Sequence, residues 1–293
     1  MRFLPRANHT SLAVFLLGIS SLFSGSTFFV IKELVQRVDP LLITAYRFLG
    51  AGLCLVVFTR VRRVSLAKGW LPGLVLGFFL TLFFVGQNVG LVFSRAATMS
   101  FLTGLFVVIV PLLNWFFWRQ APLRAEMVAV GLSLVGLWVL SGGVFAFGSG
   151  EWLGLAAAFT YALYVIYGDR YLRLQKLSAL RLTTQTFLIT GDLSLGLALF
   201  FGARVNPLNR LDGFYLLYLI ALPSLGSFSI LNYAQKYLEA TVISLLLSLV
   251  TVSGAILAWL FGGEAITREG VFGGGILVVA VLLPLWIKFT KTE

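Results

Sequence analysis

The sequence predicts an all-α polytopic membrane protein with ten transmembrane helices, arranged as two inverted repeats of five helices each. Three observations predict this fold class: the composition, the recurrence of apolar segments, and an internal repeat. Hydrophobic residues make up 59% of the 293 residues and charged residues only 11%, whereas about a quarter of the residues in soluble domains are charged. Ten spans of about twenty residues each leave no room for a separate soluble domain.

Ten apolar segments, each close to the length that crosses the hydrocarbon core of a bilayer, follow one another along the chain. They cover residues 12–31, 41–59, 70–93, 97–118, 127–147, 151–168, 182–201, 213–233, 240–262 and 270–288. The first segment begins as a signal peptide would, but it is long enough to span, so we expect it to be retained. The glycine-rich stretch 142–150 joins the halves. This division predicts a first five-helix repeat at 12–147 and a second at 151–288.

An internal repeat supports the division into halves. Residues 88–135, aligned with residues 232–279 at an offset of 144, match identically at thirteen of forty-eight positions. The matched pairs other than aliphatic ones include Asn88 with Asn232, Ser100 with Ser244, Trp115 with Trp259, Arg124 with Arg268 and Gly131 with Gly275. Five crossings end on the opposite side of the membrane, so the second copy is inverted. Inverted repeats of this kind build transporters whose substrate site lies near the midplane, between the copies.

The distribution of basic residues predicts the orientation. With the N-terminus inside, fifteen Lys and Arg residues fall on cytoplasmic segments and six on outer ones, and Arg47 lies within a helix. Cytoplasmic loops carry such an excess of Lys and Arg. We therefore expect a multi-pass protein of the inner (cytoplasmic) membrane with both termini in the cytoplasm. The net charge of +11 is explained in this way, and we expect no nucleic-acid partner.

The motifs of several enzyme classes are absent from the sequence. There is no Walker A motif, the single histidine is His9 near the N-terminus, and no paired aspartates could hold magnesium and a diphosphate. We therefore expect no catalytic activity, no cofactor and no metal. A channel or a lipid scramblase is the more serious alternative to a transporter, because the same cavity could conduct if both ends opened together.

Short motifs occur in a characteristic order and spacing. They are Ser24–Phe29 before Lys32, Asp39–Leu41 before Arg47–Phe48, Gln87–Leu91, Ala96–Thr103, Val110–Leu112, Thr160–Tyr164, Glu239–Ser244 and Leu260–Glu264. In this the chain resembles the drug/metabolite transporter superfamily, specifically the ten-helix exporters with two EamA-type repeats. It departs from them at Arg119–Gln120, where Gly-Glu is frequent, and at Gly254–Ala255, where a proline is frequent. The resemblance implies export by alternating access at a cavity surrounded by the first, third, fourth, sixth, eighth and ninth helices.

Polar side chains within the apolar segments indicate where a small-molecule substrate would bind. The ninth segment carries Thr241, Ser244, Ser248 and Thr251 at spacings of three, four and three, which places them on one helix face. The residues predicted to line a common cavity are Ser24, Gln87, Asn88, Ser100, Thr103, Tyr161, Tyr164, Asn232, Ser244, Ser248 and Thr251. The alternative is structural: such hydroxyls and amides often bond their own backbone or hold neighbouring helices together, and tyrosines often lie at the membrane interface.

Two charged residues and a proline are candidates for coupling and movement. Arg47 lies one or two turns into the second segment, where its side chain could instead extend to the interface. Asp192 is the only carboxylate well inside a span and is a candidate proton carrier, although a structural pairing would explain it equally well. Pro111 frees the carbonyl of Val107, which predicts either a hinge or a static kink.

The predicted cavity favours a particular class of substrate. Amides, hydroxyls and aromatic rings suit a neutral or zwitterionic metabolite such as an amino acid. The alternative is export of cationic drugs. Small multidrug pumps of the superfamily use a carboxylate in the first helix for this, and this chain has Ser24–Ser26 there and no acidic residue, which argues against that mechanism. The expected partners are the substrate, membrane lipid and, as the candidate coupling ion, the proton.

Overall fold

The computed structural model is helical throughout the part of the chain that it describes. That part comprises residues 6–67, 69–119, 121, 124–140, 147–174, 177–203, 208–235, 237–238, 243, 246–247 and 249–290. No strand occurs among these residues, and five of the helices are long and apolar enough to cross a membrane. The all-α polytopic membrane fold is thereby confirmed, while the inverted relation between the halves stays a prediction.

Twelve α-helices and two π-helical segments make up the described chain. They are α1 (Arg6–Leu34), α2 (Pro40–Val61), α3 (Trp70–Phe93), α4 (Ala96–Gly104), α5 (Phe106–Trp118), α6 (Arg124–Leu140), α7 (Ser149–Asp169) with a π-helical end (Arg170–Leu174), α8 (Ala179–Phe200), α9 (Arg210–Leu219), a π-helical segment (Ile220–Gly226), α10 (Ser227–Ala234), α11 (Leu249–Phe261) and α12 (Arg268–Thr290). The fourth predicted segment corresponds to α4 and α5 together. The eighth corresponds to α9, the π-helical segment and α10.

Side-chain caps begin two of the helices. The Asp39 carboxylate accepts a hydrogen bond from the backbone N–H of Leu41 at 2.8 Å, at the start of α2. At the start of α9, the Asn209 side chain accepts from the N–H of Asp212 at 2.7 Å, and Asp212 accepts from the N–H of Asn209 at 3.2 Å. This reciprocal pair satisfies N–H groups that the helix cannot bond internally. Asp212 also binds Arg37 Nε at 2.9 Å, which ties α9 to the loop after α1.

The fourth span is interrupted ahead of Pro111. Between α4 and α5 the backbone N–H of Leu105 donates to Leu102 at 3.2 Å, and that of Val108 donates to Leu105 at 2.9 Å. These bonds reach three residues back instead of four, so the turn is tighter than an α-helix. Pro111 removes one N–H and its ring crowds the carbonyl of Val107, four residues back, so its effect begins just after this turn. Whether the irregular turn moves, as a hinge at Pro111 requires, stays a prediction.

Small residues allow the central helices to approach closely. A side chain at Gly25 of α1 would overlap Ser253 of α11, and one at Gly254 of α11 would overlap Ser100 of α4 and Phe28 of α1. Interfaces between membrane helices favour such residues because the backbones can then come into contact. The result is a tightly packed group of α1, α4 and α11, next to which α3 packs on α7 and α8. Helices α6 and α12 pack mainly on each other, outside this group.

Candidate functional site

A cavity of about 70 Å³ lies at the centre of the described helices. Its polar lining residues are Ser24, Thr27, Arg47, Gln87, Ser100, Thr103 and Thr251. Its aromatic lining residues are Phe28, Phe83, Phe84, Phe106, Tyr161 and Phe228. Because a buried water molecule needs roughly 10–15 Å³ of such space, the cavity has room for a few waters. A ligand of amino-acid size would require lining side chains to move.

The structure brings six of the eleven predicted cavity residues together around this space. These are Ser24, Gln87, Ser100, Thr103, Tyr161 and Thr251. Three others, Asn88, Tyr164 and Asn232, are buried but are not part of the cavity wall. Ser244 and Ser248 lie outside the described residues.

Gln87 is the lining residue whose polar group is most evidently available to a ligand. Its side chain is only 2% exposed, and its oxygen Oε1 has no hydrogen-bond partner among the described residues. A buried amide without a partner is costly, and a bound ligand can remove that cost. Because an amide carries both an acceptor and a donor group, Gln87 can bind an ammonium group, a hydroxyl or a carbonyl.

The two asparagines connect helices instead of lining the cavity. Asn88 Nδ2 donates to the Thr44 hydroxyl of α2 at 2.9 Å. Asn232 Nδ2 donates to the Thr183 hydroxyl of α8 at 2.5 Å and to the Phe228 carbonyl of its own helix at 2.8 Å. Successive residues on a helix point about 100° apart, so Gln87 can face the cavity while Asn88 faces α2. For these amides the contacts agree with the structural alternative.

The hydroxyl groups on the cavity wall are mostly bonded to backbone carbonyls. Ser100 Oγ donates to Ala97 at 2.8 Å, with Thr251 O at 3.2 Å, and Thr103 Oγ1 donates to Met99 at 2.8 Å. Such bonds to the preceding turn are common for hydroxyl residues in helices. These hydroxyls therefore offer a ligand their oxygen lone pairs more readily than their protons.

The two tyrosines of α7 lie in the interior and not at a lipid interface. Tyr161 is 9% exposed and Tyr164 is 3% exposed, and their rings are stacked at 5.6 Å. Tyr161 also stacks on Phe83 at 4.3 Å and meets the edge of Phe106 at 4.8 Å. Tyr161 thus forms part of the cavity wall, and Tyr164 supports it from behind.

Arg47 lines the cavity and does not reach the membrane surface. Its side chain is 2% exposed, and Nε donates to the hydroxyl of Ser224 at 2.6 Å. The guanidinium lies over the rings of Phe84 at 4.6 Å and Phe48 at 5.2 Å, an arrangement that attracts a cation to an aromatic face. The extended, interfacial conformation that the sequence allowed for Arg47 is therefore not the one adopted.

Asp192 does not face the interior. It lies midway along α8, and its side chain is exposed on the outside of the helices. The buried face of α8 carries Phe187, Thr190 and Ser194, which follow the three-to-four-residue spacing of a helix face. Asp192 does not lie on that face; it lies on the exposed side of the helix, next to Leu193. Asp192 is therefore not part of the cavity wall, and its role as a coupling or structural charge stays a prediction.

Two polar contributors to the site were not among the predicted residues. Thr27 follows Ser24 by three residues, and that spacing on one helix face is a signal that could have identified it. Ser224, the partner of Arg47, is fully buried in the π-helical segment next to Pro223. The bond between Arg47 and Ser224 joins residues 177 positions apart, and no local pattern predicts that pairing.

Charged side chains hold together the end of the helices at which α3 ends and α4 begins. Lys32 Nζ donates to the carbonyls of Leu91 at 2.7 Å and Ser94 at 2.8 Å. Glu264, in the turn after α11, accepts from the first two N–H groups of α4 at 2.5 and 3.1 Å. Arg95 donates to the carbonyl of Ala265 in the same turn. These contacts join α1 to α3, and α4 to the second half.

The fold and the cavity define a class of protein. A polytopic helical protein whose central cavity is walled by both halves of the chain is typical of membrane transporters. The EamA-like transporter family model matches residues 11–142 and again residues 148–286. The chain belongs to this family, which confirms the resemblance drawn from its motifs.

Two relatives and one known structure illustrate the similarity. The chain is 26% identical over 269 residues to an uncharacterized transporter of Archaeoglobus fulgidus, covering 91% of this chain and 83% of that protein. It is 27% identical over 270 residues to the uncharacterized inner membrane transporter YedA of Escherichia coli K12, covering 88% and 86%. A crystal structure that is 19% identical in sequence superposes with a TM-score of 0.75 over 97% of this chain and 99% of the other, which shows the shared fold.

Proposed function

We propose that this transporter is a secondary exporter, in the cytoplasmic membrane, of a small neutral or zwitterionic metabolite of amino-acid type. In this proposal it works by alternating access at its central cavity. The cavity is the observation that carries the proposal. Helices from both halves form its wall, aromatic rings dominate it, and the buried Gln87 amide has an unpartnered oxygen. No Asp or Glu is among its lining residues in the described chain, which disfavours a mechanism for cationic drugs that depends on a carboxylate.

The pairing of helices supports an inverted repeat with the site between its copies. If the second half is the first half turned over, each contact between the halves should recur with the halves exchanged. Helix α3 packs on α7, and the corresponding α10 packs on α1. Likewise α4 and α5 pack on α7, and α11 packs on α1. Three further contacts join corresponding helices of the two halves, so exchanging the halves leaves each of them unchanged. They are α2 with α8, α4 with α11 and α6 with α12.

Alternating access requires that contacts at the two ends of the cavity form and break in turn. The contacts of Lys32, Arg95 and Glu264 at one end are suited to this, because each joins separate elements through a few polar bonds. No nucleotide motif is present in the sequence, so the movement would follow a gradient of the substrate or of protons.

The test begins with a metabolite screen in cells that overproduce the protein, scored as tolerance and as changed intracellular pools. Metabolites that score are then followed by counterflow with purified protein in liposomes. Saturable uptake that is accelerated by unlabelled solute on the opposite side supports a carrier. Flux that does not saturate would indicate a channel, and movement of labelled phospholipid alone would indicate a scramblase; either result refutes the proposal. Arg210→Gln, at an exposed position outside the cavity, is the matched control for cavity variants.

A further inference from the structure

Arg47 is a buried cation without an acidic partner in the described chain. Ion pairs among the described residues include Arg37 with Asp212 and Arg95 with Glu264, and both of these lie at the ends of helices. Nη1 of Arg47 is buried and has no hydrogen-bond partner among the described residues. A charge within a membrane protein is costly, and such groups usually pair with one another or mark a substrate pathway.

The surroundings of Arg47 hold the guanidinium in one place but do not neutralise it. Ser224 Oγ accepts a hydrogen bond from Nε–H at 2.6 Å, and the rings of Phe84 and Phe48 flank the charge. A hydroxyl and two rings carry no negative charge. The guanidinium therefore keeps donors for a planar group with two oxygens, and a carboxylate matches this arrangement best.

We propose that Arg47 binds a carboxylate of the transported molecule, so that the substrate class is a small carboxylate with an apolar or aromatic side chain. This inference rests on the proposed function, and it names the substrate class of the same cavity. Phe83, Phe106 and Tyr161 form an apolar wall for the side chain. The free oxygen of the Gln87 amide accepts from an ammonium group where the substrate has one. A cation without a carboxylate is repelled by Arg47.

The rival role for Arg47 is purely structural, as a connection between α2 and the π-helical segment. The two roles differ in what they predict for selectivity. A structural Arg47 affects the binding of all ligands alike when it is replaced. A carboxylate-binding Arg47 changes the preference for carboxylates over their amides, because only the charged group loses its partner. The ratio of the two affinities is therefore the decisive measurement.

The experiment uses the purified full chain and four matched probes: L-leucine, L-leucinamide, 4-methylpentanoate and isoamylamine. The same set built on alanine and on phenylalanine controls for size. Binding is measured as ligand-dependent thermal stabilisation, and transport as counterflow in liposomes. Loss of one charge-assisted contact typically weakens binding by about tenfold to a hundredfold. We expect carboxylates to bind wild type at least about tenfold more tightly than amides or amines.

The variants Arg47→Gln, Arg47→Lys and Ser224→Ala separate the two roles. Arg47→Gln should abolish the preference for carboxylates and should not weaken the binding of leucinamide or isoamylamine, which are cations that Arg47 repels. Arg47→Lys, which keeps the charge without the fork of N–H groups, should retain part of the preference. If the Arg47→Gln variant does not fold, the comparison of Arg47→Lys with the wild type replaces it as the test. Ser224→Ala keeps the charge but loosens its position, so we expect a smaller loss. Arg210→Gln, which removes an exposed arginine at the start of α9, is the control and should behave as wild type.

Each outcome has a defined meaning. Equal movement of acids and amides through the wild type refutes the carboxylate site while leaving a transporter, as does an unchanged preference in Arg47→Gln. Carboxylate binding that depends on Arg47, without counterflow, supports the site and refutes the proposed transport. Binding of none of the probes refutes the carboxylate assignment.

Discussion

Replacing Gln87 by alanine should weaken substrate binding and leave the folded protein intact. The oxygen of this buried amide has no partner among the described residues, so its loss removes little stabilising energy. A polar group that bonds a ligand contributes about 1–3 kcal/mol, which corresponds to roughly a tenfold to hundredfold change in affinity. We therefore expect a Gln87→Ala variant with near-normal thermal stability and a Kd raised by that factor.

The neighbouring residue provides the matched control. Asn88 carries the same amide group, and its oxygen also has no partner among the described residues. It differs from Gln87 because it does not line the cavity and because its Nδ2 donates to Thr44 at 2.9 Å, which connects α3 with α2. Polar bonds between membrane helices contribute about 0.6 kcal/mol on average and up to about 1.7 kcal/mol. Asn88→Ala should therefore lower the unfolding free energy by about 1 kcal/mol and change Kd by less than about threefold. The same is expected for Asn232→Ala, whose amide binds Thr183.

The assay measures both quantities on the same preparations. Thermal unfolding in detergent reports stability, and counterflow in liposomes at varied substrate concentration reports affinity. The reasoning is refuted if Gln87→Ala transports with wild-type affinity, or if Asn88→Ala loses affinity and keeps its stability. Either result would mean that the amide facing the cavity is not the one that meets the substrate.

Three further predictions concern a charge, a cap and a close contact. Asp192→Asn should respond to an imposed pH gradient as the wild type does, because the side chain is exposed on α8; loss of that response alone in the variant would make Asp192 the coupling group. Glu264→Ala should lower stability by about 1–2 kcal/mol because two N–H groups at the start of α4 lose their acceptor, and Glu264→Gln should have a smaller effect. Melting temperatures of these variants equal to that of the wild type would contradict this. Gly104→Val should destabilise by about 1–3 kcal/mol through overlap with Thr251, and adding Thr251→Ala should restore part of the loss; no recovery in thermal unfolding would place the strain elsewhere.

The sequence predicted the helices and much of the cavity because both depend on local spacing. Apolar segments near twenty residues indicate spans, and polar residues three or four apart indicate a face, as for Ser100 and Thr103. What spacing does not determine is the neighbour that a face meets. Gln87 and Asn88 carry equivalent groups, and the rotation of α3 against α2 decides which of them faces the cavity. For the same reason the spacing did not determine which way Asp192 faces, because packing of α8 on α2 sets the exposed side.

Arg47 illustrates a second limit, which is a pairing across the whole chain. Its buried conformation depends on Ser224, in a π-helical segment that contains Pro223. An arginine near a helix end would otherwise extend to the interface. The interior position follows only from the tertiary contact, so the residue that matters most for the charge of the cavity could not be assigned from its own segment.

The repeated asparagines show how two similar halves can build an asymmetric site. Asn88 binds Thr44 in α2, and its counterpart Asn232 binds Thr183 in α8. The two threonines therefore make equivalent contacts between helices. Three residues further along each helix, the first half has Arg47 and the second has Thr186, and both are buried. The scaffold thus places a charge on one side of the cavity and a neutral hydroxyl residue at the equivalent position. A substrate with a single carboxylate would be oriented by that difference, because the cation among the described lining residues, Arg47, belongs to the first half.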